Sequence, residues 1–267
     1  MGTEAAVANA VGDDRDTADR ARVAGERRPR ILVVLPRGEA LRNFLYSGML
    51  SELRRQADLT LLSVIPSEQV KGLLGSECGS VSELRTIRMR WPVRFLWELV
   101  EMAHGRWLWS EAAKERWRLR DAEAVGAAAK IKRTVKKLLS RPFSNRRGVE
   151  FLSRVQGAAS RLFRTTDEHV DLFRKIRPAL VFNGSHVHSE LAVPVIEAAR
   201  WLGIPTAAFI FSWDNLTSQG RILPPYDHYL VWNETLRDQL LRLYDRTDPA
   251  RVYVTGTPQF DFHIRPE

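Results

Sequence analysis

After a polar start, the chain turns abruptly apolar. The run RILVVLP (Arg30–Pro36) is apolar at consecutive positions and bounded by prolines at 29 and 36. A run apolar on both faces suits a strand buried inside a parallel sheet. Leu41, Leu45, Met49 and Leu53 follow four apart, which predicts one helix from Leu41 to Gln56. DLTLLSVI (Asp58–Ile65) reads as the next strand, opening a βαβ unit. The alternation returns after residue 178. ALVF (Ala179–Phe182) is a short strand, and Leu191, Val195, Ala198 and Leu202 line a helix stopped by Gly203. Pro194 predicts a kink or an irregular first turn there. PTAAFIF (Pro205–Phe211), HYLVW (His228–Trp232) and RVYVT (Arg251–Thr255) read as strands, with a helix over Glu234–Tyr244. The expected class is α/β, a Rossmann-like doubly wound parallel sheet.

Between the two halves the pattern changes. Residues 91–120 hold Trp91, Trp97, Trp107, Trp109 and Trp117, five of the eight tryptophans. Ile131, Val135, Leu138 and Leu139 form an apolar stripe opposite Lys130, Lys132, Arg133, Lys136 and Lys137. This predicts inserted helices with a basic outer face. Charge supports the division. The 267 residues carry 41 Lys and Arg against 32 Asp and Glu. Residues 85–147 take 17 of the bases and 6 of the acids, leaving 24 and 26 elsewhere. The basic character therefore belongs to the insertion alone. Residues 1–29 have little to bury and are expected to be a disordered tail, with a sheet domain over 30–255 and a linker over 256–267. The first residues lack the apolar core of a secretory signal, and no apolar run is long enough to span a bilayer. A single cysteine, Cys78, excludes an internal disulfide framework. A cytoplasmic protein is expected.

In such a sheet, ligands sit beyond the carboxyl ends of the strands. That selects three loops. The first holds Arg37 and Gly38, the second Asn183, Gly184, Ser185, His186 and His188, and the third Ser212, Trp213, Asp214 and Asn215. In the third, a flat apolar ring stands beside an acid and an amide, a set that can stack a sugar and take a proton from a hydroxyl. The alternative is a structural turn in which Asp214 caps the next element. His186 suits a general base or hydrogen-bond donor. His186 and His188 lack a third ligand at metal-site spacing, so no metal is expected. Neither a P-loop nor a G-x-G-x-x-G stretch is present.

The stretch VFNGSHVHSELAVPVIEAARWLGIP (Val181–Pro205) resembles a strand–loop–helix of the GT-B glycosyltransferase superfamily, whose relatives include UDP-N-acetylglucosamine 2-epimerases and glycerophosphotransferases of cell-wall polymers. VTGTPQFD (Val254–Asp261) is similar to the stretch that enters the second domain of those proteins. The likeness runs over about residues 30–261. It departs from the epimerases at Asn183-Gly184-Ser185, where they carry Gly-Asp, and at Ser212–Leu216, where they carry His-x-Glu-Ala-Gly. A transferase is therefore expected rather than an epimerase.

The resemblance implies an amino-terminal, acceptor-side domain, because the chain reaches only the start of a second domain. It implies transfer from a nucleotide sugar to a cell-envelope glycan or lipid-linked acceptor, the chain being a fragment, one half of a split enzyme or a degenerate product. It implies no metal or other cofactor. Asp214 is the first candidate base and His186 the second. Arg37 and Gly38 would approach the donor phosphates, and Asn183, Gly184, Ser185, Ser212, Trp213 and Asn215 the substrate. The Trp-rich basic segment suggests peripheral docking on an anionic inner-membrane face. The rival class is a non-catalytic protein using that segment to bind nucleic acid or membrane.

Overall fold

A computed structural model describes residues 28–65, 67–74, 80–163, 166–185 and 190–263. The expected tail therefore lies, through residue 27, outside the described residues. Cys78, His186 and His188 do so too.

The chain begins with β1 (Arg30–Leu35), α1 (Gly38–Leu45), α2 (Met49–Gln56), β2 (Asp58–Ser63), α3 (Ser67–Leu74) and β3 (Ser80–Glu83). The single helix expected over Leu41–Gln56 is two. Gly48 takes a left-handed conformation (φ 74°) between them, and the Ser47 hydroxyl accepts from the Met49 N–H at 3.3 Å. The insertion follows as α4 (Trp91–Leu108), α5 (Glu111–Ala122), α6 (Ala127–Ser140) and α7 (Arg146–Leu162). Then come α8 (Asp167–Ile176), β4 (Leu180–Asn183), α9 (Val193–Trp201), β5 (Thr206–Phe209), α10 (Asn215–Ser218), β6 (His228–Val231), α11 (Glu234–Leu243) and β7 (Val252–Val254). Pro194 sits in the first turn of α9, where its missing N–H costs no helical bond, so it kinks nothing.

The strands form one sheet in the order β3-β2-β1-β4-β5-β6-β7, and every neighbouring pair is parallel. The fold is the Rossmann-like doubly wound sheet read from the sequence. The apolar run of β1 explains itself by alternation. Leu32 and Val34 enter one core, with Val181, Ala208 and Tyr229; Val33 and Leu35 enter the other, with Leu61, Phe182 and Phe209. The first core is closed by α8, α9 and α11, through Phe173, Ile196 and Leu240. The second is closed by α1, through Leu41 and Phe44. The chain thus leaves β1 towards one face and β4 towards the other. Adjacent strands with opposite exits make a topological switch point, which opens a crevice at their carboxyl ends.

The insertion packs over the first face. Leu99 and Val100 of α4 and Val149 and Leu152 of α7 share a small core with Leu223. Two polar clamps tie it to the sheet domain. The Ser110 hydroxyl donates to the Thr217 carbonyl at 2.7 Å, and Arg221 pairs with Glu150 at 2.8 Å. Trp97 and Trp107 are partly buried against the cores.

Of the five bases expected on the outer face of α6, Lys130 and Lys132 are exposed, but the other three turn inward. Lys136 is buried and pairs closely with Glu98 of α4; Arg133 pairs closely with Asp121 of α5, and Lys137 reaches the same carboxylate at 2.6 Å. Both Arg133 and Lys137 also lie over the Trp117 ring, at 5.9 and 5.3 Å. Burial, with Arg94 nearby, draws the Lys136 ammonium pKa below its ordinary value. The acids of the neighbouring helices therefore turn these three bases inward. Ile131, Val135, Leu138 and Leu139 are left exposed.

His104 in α4 is fully buried beside Trp107 and Tyr244, and neither ring nitrogen has a hydrogen-bond partner among the described residues. Burial first, then the positive charges of Arg221 and Arg116, hold its pKa down to about 3. Burial also lowers His169, against the opposing pull of Glu168. The sign follows directly. Both groups fold neutral, so their contribution is complete above the unfolded pKa near 6.5 and is lost as pH falls towards the folded value. One such group costs up to about 1.4 kcal/mol per pH unit in that window. Thermal melts from pH 7 to pH 5 should therefore show a falling Tm, and His104→Leu should flatten the slope. An unchanged slope in that variant would remove His104 as its source.

Candidate functional site

The three loops expected to carry chemistry all lie at the carboxyl ends of their strands, after β1, β4 and β5, which are neighbours in the sheet. After β1, Arg37 is extended (φ −151°) and flanks α1 without capping it through its side chain. Its guanidinium stands 3.6 Å from Glu39, with both side chains partly exposed. Gly38 opens α1. A Cβ placed there would meet no heavy atom within 4 Å, so the space beside it is open. The backbone N–H groups of the first helical turn face that edge, as in sites that receive anions.

The β4 loop does different work. Asn183 is buried; its amide donates to the Tyr226 hydroxyl at 2.7 Å, and its carbonyl oxygen accepts from the Ser185 N–H at 3.1 Å. Gly184 donates its N–H to Val34 at 3.0 Å and lies directly on Phe44. A Cβ at Gly184 would come within 2.6 Å of the Phe44 ring. That ring is itself fixed edge-on between Phe182 and Phe209, with centroids 5.3 and 5.5 Å away. Ser185 is buried too. These three residues, read from sequence as substrate contacts, are engaged in forming the floor of the crevice. His186, the second candidate base, lies just beyond, outside the described residues.

The β5 loop is a closed turn. The Asn215 side-chain oxygen accepts from the Ser212 N–H at 2.9 Å, and the Asp214 carbonyl accepts from the Ser218 N–H at 2.8 Å. Asp214 flanks α10, yet its side chain makes no capping hydrogen bond. The carboxylate instead accepts from the Ser212 hydroxyl. Asp214 thus holds the cap position of a structural turn through its backbone, while its carboxylate stays on the Ser212 side. Trp213 projects its indole outward, 70% exposed. A partly buried carboxylate with a hydroxyl donor, beside an exposed aromatic face, can accept a proton from a hydroxyl while the ring carries the apolar face of a sugar.

No protein-family model matches this chain, and no curated protein does. Solved structures do. MurG of Acinetobacter baumannii aligns with 90% of this chain and 46% of its own, at 11% identity and a TM-score of 0.41. UDP-GlcNAc 2-epimerase from Methanocaldococcus jannaschii aligns with 89% and 50%, at 9% identity and 0.44. The Neisseria meningitidis UDP-GlcNAc 2-epimerase, solved bound to UDP-GlcNAc, aligns with 88% and 49%, at 10% identity and 0.45. The chain spans about half the length of these proteins, and the likeness is one of arrangement.

Sequence reading missed one corner of this edge. Asn43 of α1 is buried, and neither end of its amide has a partner among the described residues. It lines a cavity of about 260 Å³ closed by Pro258 and Gln259, beyond β7. The Thr257 hydroxyl and the Trp232 indole N–H are buried without partners as well. The signal was present: Asn43 falls among the apolar positions Ala40, Leu41 and Phe44 of one helix face. No group of three or more His, Cys, Asp or Glu that could hold a metal occurs among the described residues.

The contact between Gly184 and Phe44 yields a direct test. Gly184→Ala should destabilise the fold by about 1–3 kcal/mol, because neither a β-strand end nor a locked ring can yield the missing space. Urea unfolding of the variant measures it. Wild-type stability would mean that the loop relaxes away from the ring.

Proposed function

We propose that this domain is the acceptor-side half of a GT-B-like glycosyltransferase, moving a sugar from a nucleotide sugar to a cell-envelope glycan or lipid-linked acceptor. The observation carrying this reading is the Ser212–Asp214 turn beside the β1/β4 switch point. In this scheme Asp214 takes the proton from the acceptor hydroxyl, whose oxygen then attacks the anomeric carbon as the nucleotide diphosphate leaves. Ser212 orients the carboxylate and Trp213 stacks the sugar. Arg37 and the open backbone at Gly38 face the donor phosphates. His186 remains the alternative base. The donor-binding half belongs to a further domain or a separate chain, and no metal takes part.

A lipid-linked acceptor would bring the domain to an anionic membrane surface, and the outward stripe of α6 favours that partner. Ile131 and Leu138 are 64% and 61% exposed, and covering what remains of each would contribute on the order of 1 kcal/mol. Exposed Lys130, Lys132, Arg141 and Arg147 flank the stripe, which suits anionic headgroups. The same geometry disfavours the nucleic-acid reading, since Arg133, Lys136 and Lys137 are already committed to Asp121 and Glu98. No helix among the described residues is long and apolar enough to cross a membrane.

Two outcomes are expected. Asp214→Asn in the complete enzyme should lower kcat at least a hundredfold with an unchanged circular dichroism spectrum; near-normal turnover would remove Asp214 from the chemistry. Separately, the protein should pellet with vesicles containing phosphatidylglycerol, and Ile131→Glu with Leu138→Glu should release it. Equal pelleting of both proteins, or of neither, would refute docking through α6.

A further inference from the structure

A second cavity lies at the other edge of the sheet. It encloses about 860 Å³ between α7, the end of α9, the 221–227 segment and the residues after α11. Asp227 precedes β6 and Arg251 precedes β7, so the cavity opens at the amino ends of these strands, away from the three loops described above. This size falls in the range of small-molecule sites.

Its charge is arranged unevenly. Arg200 stands 3.5 Å from Asp227, and Arg251 stands 3.7 Å from Asp248, so those charges cancel locally. At Glu150 they do not. Three guanidiniums converge on that one carboxylate: Arg221 at 2.8 Å, Arg246 at 3.2 Å and Arg154 at 3.7 Å. Glu150 offsets one of these three charges, and burial pushes up the pKa of Glu197, a further acid of the same wall, so positive charge is left over at this point. Arg221 is only 7% exposed and stacks on the Tyr244 ring, with its guanidinium carbon 4.6 Å from the centroid. Burial at low dielectric strengthens the field of such a group towards an anion. Arg154 and Arg246 are more than half exposed and can swing towards a ligand.

The rest of the wall is mixed: Gln156, Ser160 and Glu197 are polar, and one part is apolar and flat. Leu223, Pro224, Pro225 and Trp201 face the same space. Guanidinium forks match the oxygens of a phosphate group, and proline and indole faces suit a ring.

We propose that this cavity binds a phosphomonoester with a planar or apolar body, its dianionic phosphate completing the charge balance of Arg154, Arg221 and Arg246 around Glu150. The site is separate from the carboxyl-edge crevice and does not depend on the function proposed there. The role proposed for it is binding rather than turnover.

Titration calorimetry with phenyl phosphate and with inorganic phosphate tests this. Phenyl phosphate should bind with a dissociation constant below 1 mM, at least fivefold tighter than inorganic phosphate, because the ring adds the wall contacts. Arg154→Ala with Arg246→Ala should weaken phenyl phosphate at least tenfold. Both side chains are largely exposed, and a thermal melt matching wild type shows that the fold persists. Trp201→Ala should narrow the gap between the two ligands. No detectable binding of phenyl phosphate at 10 mM would overturn the proposal. So would binding that the double arginine variant leaves unchanged, since the anion would then sit elsewhere.

Discussion

A parallel sheet cannot leave either face to water. Each of its strands is fed and drained at opposite ends, so every connection must cross a face and cover it. In this chain that constraint determines the direction of nearly every element. β1 drains to the Phe44 side and β4 to the Ile196 side, because both faces of the β1 run demand apolar cover. The split between them places an Asn, a Gly and a Ser at the one point where the sheet must open. Asn183 and Gly184 are then held by Tyr226 and Phe44, and the opening becomes a shaped crevice rather than a gap.

The same demand explains the insertion. The face over β5–β7 is broader than α9 and α11 cover alone. α4 and α7 add Leu99, Val149 and Leu152 above Leu223. Glu98 of α4 and Asp121 of α5 then meet the bases of α6. Charge, not hydrophobicity, therefore decides which side of α6 turns inward. Partly buried ion pairs contribute modestly to stability, because desolvation offsets much of their attraction. They do select one orientation over another, and here they select the one that leaves the aliphatic residues outside.

Much of this was legible in the residues, and the exceptions have identifiable causes. β1 and β5 were readable because a continuous apolar run has few other uses. β3 was not, because Ser80–Glu83 holds one apolar residue and pairs along a single side with β2. The break between α1 and α2 was hidden because the spacing of Leu41, Leu45, Met49 and Leu53 continues through Gly48 without a change of phase. The orientation of α6 could not be read from its own amphipathic pattern, which gives two faces but not their partners. At the site, strand ends located all three loops. Assigning each residue a task needed tertiary neighbours: Asn183 finds Tyr226 across 43 positions, a pairing no local pattern contains.

The two clamps on the insertion carry a further consequence. Ser110 grips Thr217 and Glu150 grips Arg221, and only three residues separate those two anchor points. The segment just after the Asp214 turn is thus stapled to the start of α5 and to the first turn of α7. α6 rides on α4 and α5, which belong to the same stapled body through Glu98 and Asp121. The aliphatic stripe and the Asp214 turn are therefore linked by a continuous path of side-chain contacts through Ser110, Asp121 and Arg133.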